Sequence, residues 1–223
     1  MSETTALRLS ARTGTIMVAF TVVFTALMAF TYGATKVQID AAAADEKMKL
    51  ISEVLPASSF DNVLLDDFVA LGPTPALGLD EGGRIYRARK AGAPAGLLLE
   101  TVAPDGYSGR IDLIVAVRAD GSVSGVRAVT HRETPGLGDY IDPKKDKNKE
   151  RPWITQFDGL SLEKLPLAQW KVKKDGGQIA YHTGATISAR AVTNAVARAA
   201  RFAADNQDRL FAAQNGAKFA GTP

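Results

Sequence analysis

The sequence of 223 residues contains no cysteine and only two histidines, His131 and His182. The absence of cysteine excludes disulfides, thiolate nucleophiles, cysteine-ligated iron–sulfur clusters and flavins linked through a thiol. Two histidines argue against a zinc or haem site built from this chain alone. Any redox cofactor must therefore be organic and held by other groups.

The sequence also lacks a large excess of either positive or negative charge. The net charge is only +3, and the 27 basic residues are interleaved with 24 acidic ones. Nucleic-acid-binding proteins gather basic residues on one face, which this sequence does not do, so we expect no nucleic-acid partner. No acid–base pair, nucleophile triad or metal-ligand cluster stands out as a catalytic centre.

The N-terminal region contains one long uncharged stretch, from Thr13 to Thr35. Its length is sufficient for a helix crossing a hydrocarbon core of ~30 Å. A cleaved signal peptide is the alternative, but its apolar core is usually about 7–15 residues. The small-residue run at 41–44, which resembles a cleavage site, lies well beyond the apolar stretch. We therefore predict a transmembrane helix at 13–35.

The charges that flank this stretch predict its orientation. Arg8 and Arg12 precede it, whereas Lys36 alone follows closely. Positive residues favour the cytoplasmic side, so residues 1–12 are predicted to be cytoplasmic. The domain at 36–212 is then periplasmic, in a protein of the bacterial inner membrane, and residues 213–223 are expected to form a flexible tail.

Hydrophobic periodicity predicts an α+β domain with an antiparallel sheet flanked by helices. A helical stripe over 38–55 ends at Pro56, and a second amphipathic helix covers 188–204. Asp120-Gly121 is a hairpin turn between two strands. The lysine-rich run 144–151 is expected to be a solvated loop, and 171–177 a strand edge ending in a turn. Strands are predicted at 84–90, 95–102, 111–117 and 123–130.

One candidate functional segment is Thr183-Gly184-Ala185-Thr186-Ile187-Ser188. Small residues leave the Thr186 hydroxyl accessible at the start of a helix, where unpaired N–H groups and the helix dipole favour a phosphate. Ser188 can donate a second hydrogen bond to such a phosphate. An ordinary helix cap explains the same residues.

A second candidate is the segment His131-Arg-Glu-Thr-Pro-Gly-Leu-Gly-Asp139. Pro135-Gly136 is typical of a type II turn. Gly136 and Gly138 flank Leu137, which leaves bare backbone beside one apolar side chain and suits the face of a flat ring. Glu133 and Thr134 can contact polar atoms at the ring edge, although a tight structural loop accounts for the segment equally well.

Together these segments resemble RnfG, a component of the Rnf electron-transport complex and a member of the FMN-binding domain family. The corresponding FMN-binding component of the sodium-translocating NADH:quinone oxidoreductase is a relative of RnfG. The resemblance covers most of residues 40–200, in the order of the family. It is carried by the N-terminal anchor and by Gly106–Gly109, His131–Asp139, Trp153–Gly159, Lys174–Gly177 and Thr183–Val196.

The resemblance implies that FMN is attached through its phosphate to the Thr186 hydroxyl, by a flavin transferase that uses FAD. It implies that Glu133, Thr134 and Leu137 lie beside the isoalloxazine and that Lys174 lies near the flavin. The expected function is that of an electron-carrying component, not catalytic alone, of a membrane complex that couples ferredoxin and NAD to ion translocation.

This sequence departs from the family at one position. The acceptor motif usually has an acidic residue six positions before the modified threonine, where this chain has Ala180. The departure bears on recognition by the transferase. Two alternatives remain at this point: the sodium-pump relative with the same cofactor, and a cofactor-free anchored assembly module.

Overall fold

The computed structural model describes residues 3–219, which form two compact units divided between Met48 and Lys49. The first unit is the greater part of helix α1, Glu3–Val54. Within α1, Arg8–Ile39 is long and apolar enough to cross a membrane, and it contains the predicted span. The predicted helix at 38–55 is the continuation of α1.

The second unit begins later than the predicted boundary at residue 36. The reason is that α1 continues without a break, and Ile51 is the first fully buried side chain among its described residues. Near its end, α1 packs on the sheet at Gly125, where an added Cβ would lie 2.8 Å from the Val54 Cα. Glu53 also forms an ion pair with Arg127, with 2.8 Å between Nε and Oε2.

The second unit is built on one sheet of six strands in the order β5-β4-β3-β2-β1-β6. Neighbouring strands are antiparallel except β1 and β6, which are parallel. Their bounds are β1 Phe68–Leu71, β2 Gly83–Lys90, β3 Ala93–Gly106, β4 Gly109–Arg118, β5 Val123–Thr130 and β6 Lys218–Phe219. The α+β class is confirmed, and the four predicted strands correspond to β2–β5.

The C-terminal segment corrects the expectation of a flexible tail at 213–223, as far as Phe219. Lys218 and Phe219 pair with β1. Asn215 fixes the preceding turn, because its side chain accepts from the Phe68 N–H at 3.0 Å and donates to the Asp66 carbonyl at 2.7 Å. Residues 220–223 lie outside the described part of the chain.

Helix α2, Thr186–Ala212, packs across the sheet through small and apolar side chains spaced three and four residues apart. Ala189, Val192, Val196 and Ala199 are fully buried on this face. The helix begins two residues earlier and ends eight residues later than predicted. Its far end is fixed by Arg87, which donates to the carbonyls of Leu210 and Ala213.

The lysine-rich run 144–151 is largely exposed, but Asp146 within it is 1 % exposed. Its carboxylate accepts from the backbone N–H of Trp153 at 2.6 Å and of Asn148 at 2.9 Å. The run is therefore a folded loop organised around a buried acid, and the expectation of a purely solvated loop is wrong at this residue.

Candidate functional site

The two candidate segments meet in the structure. The loop after β5 and the first turn of α2 form the walls of a pocket of about 210 Å³, together with the β3–β4 hairpin. The pocket is lined by Tyr107, Thr134, Leu137, Gly138, Gly184, Ala185, Ile187 and Ser188. Six of the eleven predicted site residues are therefore among those that line it.

Thr186 is the first residue of α2 and lies between two residues that line the pocket. The helix cap is Ala185, which has no side-chain oxygen, so Thr186 is not the cap of this helix. Thr186 is partly exposed, and among the described residues its hydroxyl forms no hydrogen bond. By contrast, the Thr193 hydroxyl on the same helix donates to the Ala189 carbonyl at 2.6 Å.

The backbone around Thr186 suits an anion. The first N–H groups of a helix lack intrahelical partners and lie at the positive end of its dipole. Gly184 adopts a φ of 91°, a left-handed conformation that glycine tolerates, and no atom lies within 4 Å of the position of a Cβ. A phosphate on Thr186 therefore has both space and unpaired donors.

Glu133 and Ser188 bond to each other beneath the pocket. Glu133 is 4 % exposed, and its carboxylate accepts from the Ser188 hydroxyl and, at 3.0 Å, from the Ser108 N–H. The acid thus joins the loop, the β3–β4 hairpin and α2. The structure does not place Glu133 among the pocket-lining residues, and the Ser188 hydroxyl, predicted to donate to a phosphate, donates to Glu133.

Gly138 makes this contact possible, since a Cβ there would lie 2.8 Å from Glu133 Oε2. The predicted turn before it is present, with a hydrogen bond of 3.1 Å from the Leu137 N–H to the Thr134 carbonyl and a φ of 74° at Gly136. Leu137 follows the turn and is 53 % exposed at the pocket. An apolar side chain so exposed is available to a ring.

Tyr140 holds the backbone turn that precedes Thr186 in place. Its buried hydroxyl donates to the Ala185 carbonyl at 3.1 Å and accepts from the His182 N–H at 3.3 Å. Its ring stacks on the His182 imidazole with 4.0 Å between centroids. Burial raises the pKa of the Tyr140 phenol to about 12, so this group stays protonated and able to donate at neutral pH.

Ala180, the departure from the family motif, is held through its backbone. Its carbonyl accepts from Trp153 Nε1 at 2.6 Å, and its N–H donates to Gln156 Oε1 at 2.8 Å. Its side chain is exposed. An acidic side chain at this position is therefore not required for the backbone conformation of this segment.

Three predicted residues, Gly136, Lys174 and Thr183, are exposed and do not line the pocket. Lys174 lies in the turn Lys173–Asp175, next to α2, because Asp175 bonds Arg190 at 2.5 Å and 2.8 Å. That interaction lowers the pKa of Asp175. Tyr107 and Ile187 line the pocket but were not predicted as site residues, although Ile187 lies within the segment Thr183–Ser188 and Tyr107 within Gly106–Gly109.

The comparisons with known proteins agree with this geometry. Residues 106–201 match the model of the FMN-binding domain, and residues 1–54 match that of the RnfG N-terminal region. The chain is 39 % identical over 205 residues to the G component of the ion-translocating oxidoreductase complex of Pseudoalteromonas atlantica, covering 92 % of this chain and 93 % of that protein.

The chain belongs to the RnfG family of ion-translocating oxidoreductase complexes. Proteins with the same name from Shewanella loihica and Pseudomonas aeruginosa are both 41 % identical, over 195 and 198 residues. The matches cover 86 % and 89 % of this chain and 88 % and 90 % of those proteins. The resemblance inferred from the motifs is confirmed.

As a member of the RnfG family, the protein is a redox component of a translocase and contains an FMN-binding domain. The matched region spans both walls of the pocket, from the β3–β4 hairpin to the middle of α2. The single apolar helix found among the described residues fits a single-pass anchor for a component of a membrane complex.

Proposed function

We propose that this protein carries FMN esterified through its phosphate to Thr186 and relays electrons inside a membrane complex that couples ferredoxin and NAD to ion translocation. The observation that carries the proposal is the state of the Thr186 hydroxyl. It is partly exposed, bonded to nothing among the described residues and located at a helix start beside a pocket.

The attachment step needs a donor of FMN, and the expected donor is FAD, used by a flavin transferase. The Thr186 oxygen forms a new bond to the phosphorus of the FMN moiety, the phosphoanhydride bond of FAD breaks, and AMP leaves. The hydroxyl proton passes to solvent. No electrons are exchanged in this step, so a redox partner is unnecessary.

The residues around the pocket fit the rest of the cofactor. Leu137, Tyr107 and Ile187 offer apolar surface to a ring, while Thr134 offers a hydroxyl to its edge. The helix N-terminus offers N–H groups to the phosphate. Bound FMN supplies the one- and two-electron chemistry, and the protein supplies its position and surroundings.

The pocket is smaller than the roughly 300–1,000 Å³ of sites that enclose a ligand. At about 210 Å³ it has room for only part of a flavin. A carrier that exchanges electrons with neighbouring proteins benefits from this arrangement, since an exposed ring can approach a donor and an acceptor. The face of the flavin that the pocket does not cover is then available to those proteins.

The proposed location of the domain is the periplasmic side, with residues preceding the span in the cytoplasm. Arg8 and Arg12 on one side of the apolar stretch, against Lys36 on the other, support that orientation. A covalent link suits this side of the membrane, where a dissociated FMN is not readily replaced.

The attachment is tested by co-expressing the full chain with a flavin transferase and recording flavin fluorescence in a denaturing gel. Thr186→Val should abolish the fluorescent band, whereas Thr130→Val, a matched change at an exposed threonine outside the pocket and outside the acceptor segment, should retain it. Fluorescence that survives Thr186→Val would overturn the assignment. A non-fluorescent wild-type band beside an active transferase would favour a cofactor-free assembly role.

The identity of the complex is tested by isolating the tagged chain from its native membrane and identifying the proteins that co-purify. Partners that oxidise or reduce ferredoxin support the proposal. Co-purification with the components of a sodium-translocating NADH:quinone oxidoreductase would contradict it.

A further inference from the structure

A second and larger pocket lies along the middle of α2, about 780 Å³ in volume. Its helical wall runs from Asn194 to Asn206, and the opposite wall is formed by Ala76 and by Leu167, Trp170 and Lys171. No lining residue is shared with the pocket at Thr186. Ser188 and Arg198 are separated by about 15 Å along the helix axis.

The walls of this pocket are mostly apolar. Trp170 and Phe202 are almost fully buried, and both line the pocket together with Ala197. Leu167 also lines the pocket and is 40 % exposed. The volume falls within the roughly 300–1,000 Å³ of sites that bind small organic molecules, and sites of that kind combine apolar walls with a few polar groups.

The charged groups of the pocket are unbalanced. Lys171, Arg198 and Arg201 line it against a single acid, Asp205. Asp205 is already bonded to Arg201, with 2.6 Å between Oδ2 and Nε. The pocket therefore retains two cationic side chains, Lys171 and Arg198, for which its own lining offers no carboxylate.

Arg198 is the group that points to a ligand. Its Nη2 donates to the Val102 carbonyl at 3.0 Å, but its buried Nε has no hydrogen-bond partner among the described residues. Burial lowers the pKa of the Arg198 guanidinium, and Asp105 only partly opposes that shift. A partly buried arginine whose charge is only partly compensated is destabilised, and a carboxylate or phosphate bound beside it would reduce that penalty.

We propose that this pocket binds a small amphipathic anion: a carboxylate or phosphate monoester, held by Arg198 and Lys171, with an apolar body lying against Trp170 and Phe202. Arginine presents parallel N–H groups that match the two oxygens of such an anion. This inference is independent of the flavin at Thr186, since neither pocket contributes residues to the other.

The test uses the full chain in lipid nanodiscs and measures binding of 2-naphthoate, 2-naphthyl phosphate and the neutral 2-naphthylmethanol by equilibrium dialysis, with empty nanodiscs as the blank. We expect saturable binding of at least one anion, roughly tenfold or more tighter than the alcohol. Comparison of the two anions identifies the preferred head group. Equal binding of the anions and the alcohol would overturn the proposal.

Variants locate the binding. Arg198→Gln should weaken the anion by roughly tenfold or more and leave the alcohol unchanged. Arg110→Gln, at an exposed arginine outside the pocket, is the matched control and should have no effect. Ala76→Leu fills the pocket from an exposed position and should weaken all ligands, which provides a second readout if Arg198→Gln fails to fold. Anion binding unchanged in both pocket variants would also overturn the proposal.

Discussion

Tyr140 connects several parts of the candidate site, although nothing in the sequence marked it as a site residue. Its hydroxyl bridges the Ala185 carbonyl and the His182 N–H, the two ends of the turn that leads to Thr186. Its ring lies between His182 and Trp153, whose centroid is 5.3 Å away. One buried phenol thus fixes the backbone immediately before the proposed attachment point.

The raised pKa of Tyr140 predicts a loss of stability at alkaline pH. The unfolded chain releases the phenol proton near pH 10, the ordinary value, whereas the folded protein holds it up to about 12. The contribution is therefore complete below about pH 10 and declines as the pH rises through this window, by roughly 3 kcal/mol at most.

The measurement is the free energy of unfolding in urea, from about pH 7 to 12, for the wild type and Tyr140→Phe. The variant should be less stable at neutral pH by about 1–2 kcal/mol, because it loses two hydrogen bonds. The difference should shrink as the pH rises. Tyr107→Phe, at an exposed tyrosine, should match the wild type, and a constant gap for Tyr140→Phe would contradict the prediction.

Glu133 and Ser188 illustrate what the sequence cannot specify at this scale. Both were predicted to contact the cofactor, because their side chains suit a ring edge and a phosphate. In the folded chain they bond to each other, although 55 positions separate them. Residue type gives the capacity for a hydrogen bond, but the partner depends on packing that only the complete fold determines.

Among the elements, the loop 144–151 shows how one buried acid organises a polar segment. Asp146 accepts two backbone N–H groups and thereby positions Trp153. Trp153 in turn donates to the Ala180 carbonyl. The loop is therefore part of the support for the segment that leads into α2.

We expect Asp146→Ala to destabilise the domain by about 1–3 kcal/mol, since it leaves buried N–H groups without an acceptor. Thermal unfolding followed by circular dichroism measures this effect. Glu150→Ala, at an exposed acid of the same loop, should change the midpoint little. Equal effects of the two substitutions would show that Asp146 is not a structural acceptor.

The predictable elements are those with a strong local signal. β3 and β4 contain apolar runs, and the Asp120-Gly121 turn connects β4 to β5. Helix α2 has a clear helical stripe of small and apolar residues, so local patterns identify these elements. The short strands β1 and β6 were missed, because four and two residues carry no period and their pairing joins distant parts of the chain. The burial of Asp146 was missed for a similar reason. The backbone N–H groups of Asn148 and Trp153 come within hydrogen-bond distance of its carboxylate only once the loop is folded.

The whole molecule consists of an apolar helical unit and a folded domain, and the orientation of the two across the membrane is open to a direct test. Because the chain contains no cysteine, a thiol reagent can label only a cysteine that is introduced by substitution. We expect Glu81→Cys to react with a membrane-impermeant maleimide in spheroplasts, because it is exposed in the domain predicted to be periplasmic.

Ser10→Cys, which precedes the predicted span at 13–35, should react only after the membrane is permeabilised. Mass-shift labelling on a gel measures both. The opposite pattern would reverse the proposed topology. Retention of the Ser10 label in the mature protein would also exclude cleavage of the N-terminal segment.

The parallel pair of β1 and β6 also has a consequence for biogenesis. β1 is made early and β6 near the end of the chain, with almost the entire domain between them. Until β6 has been synthesised, the outer edge of β1 is open to pairing with another chain. Newly made protein therefore passes through an aggregation-prone interval that ends only when β6 emerges, and a chain truncated soon after α2 would remain in that interval.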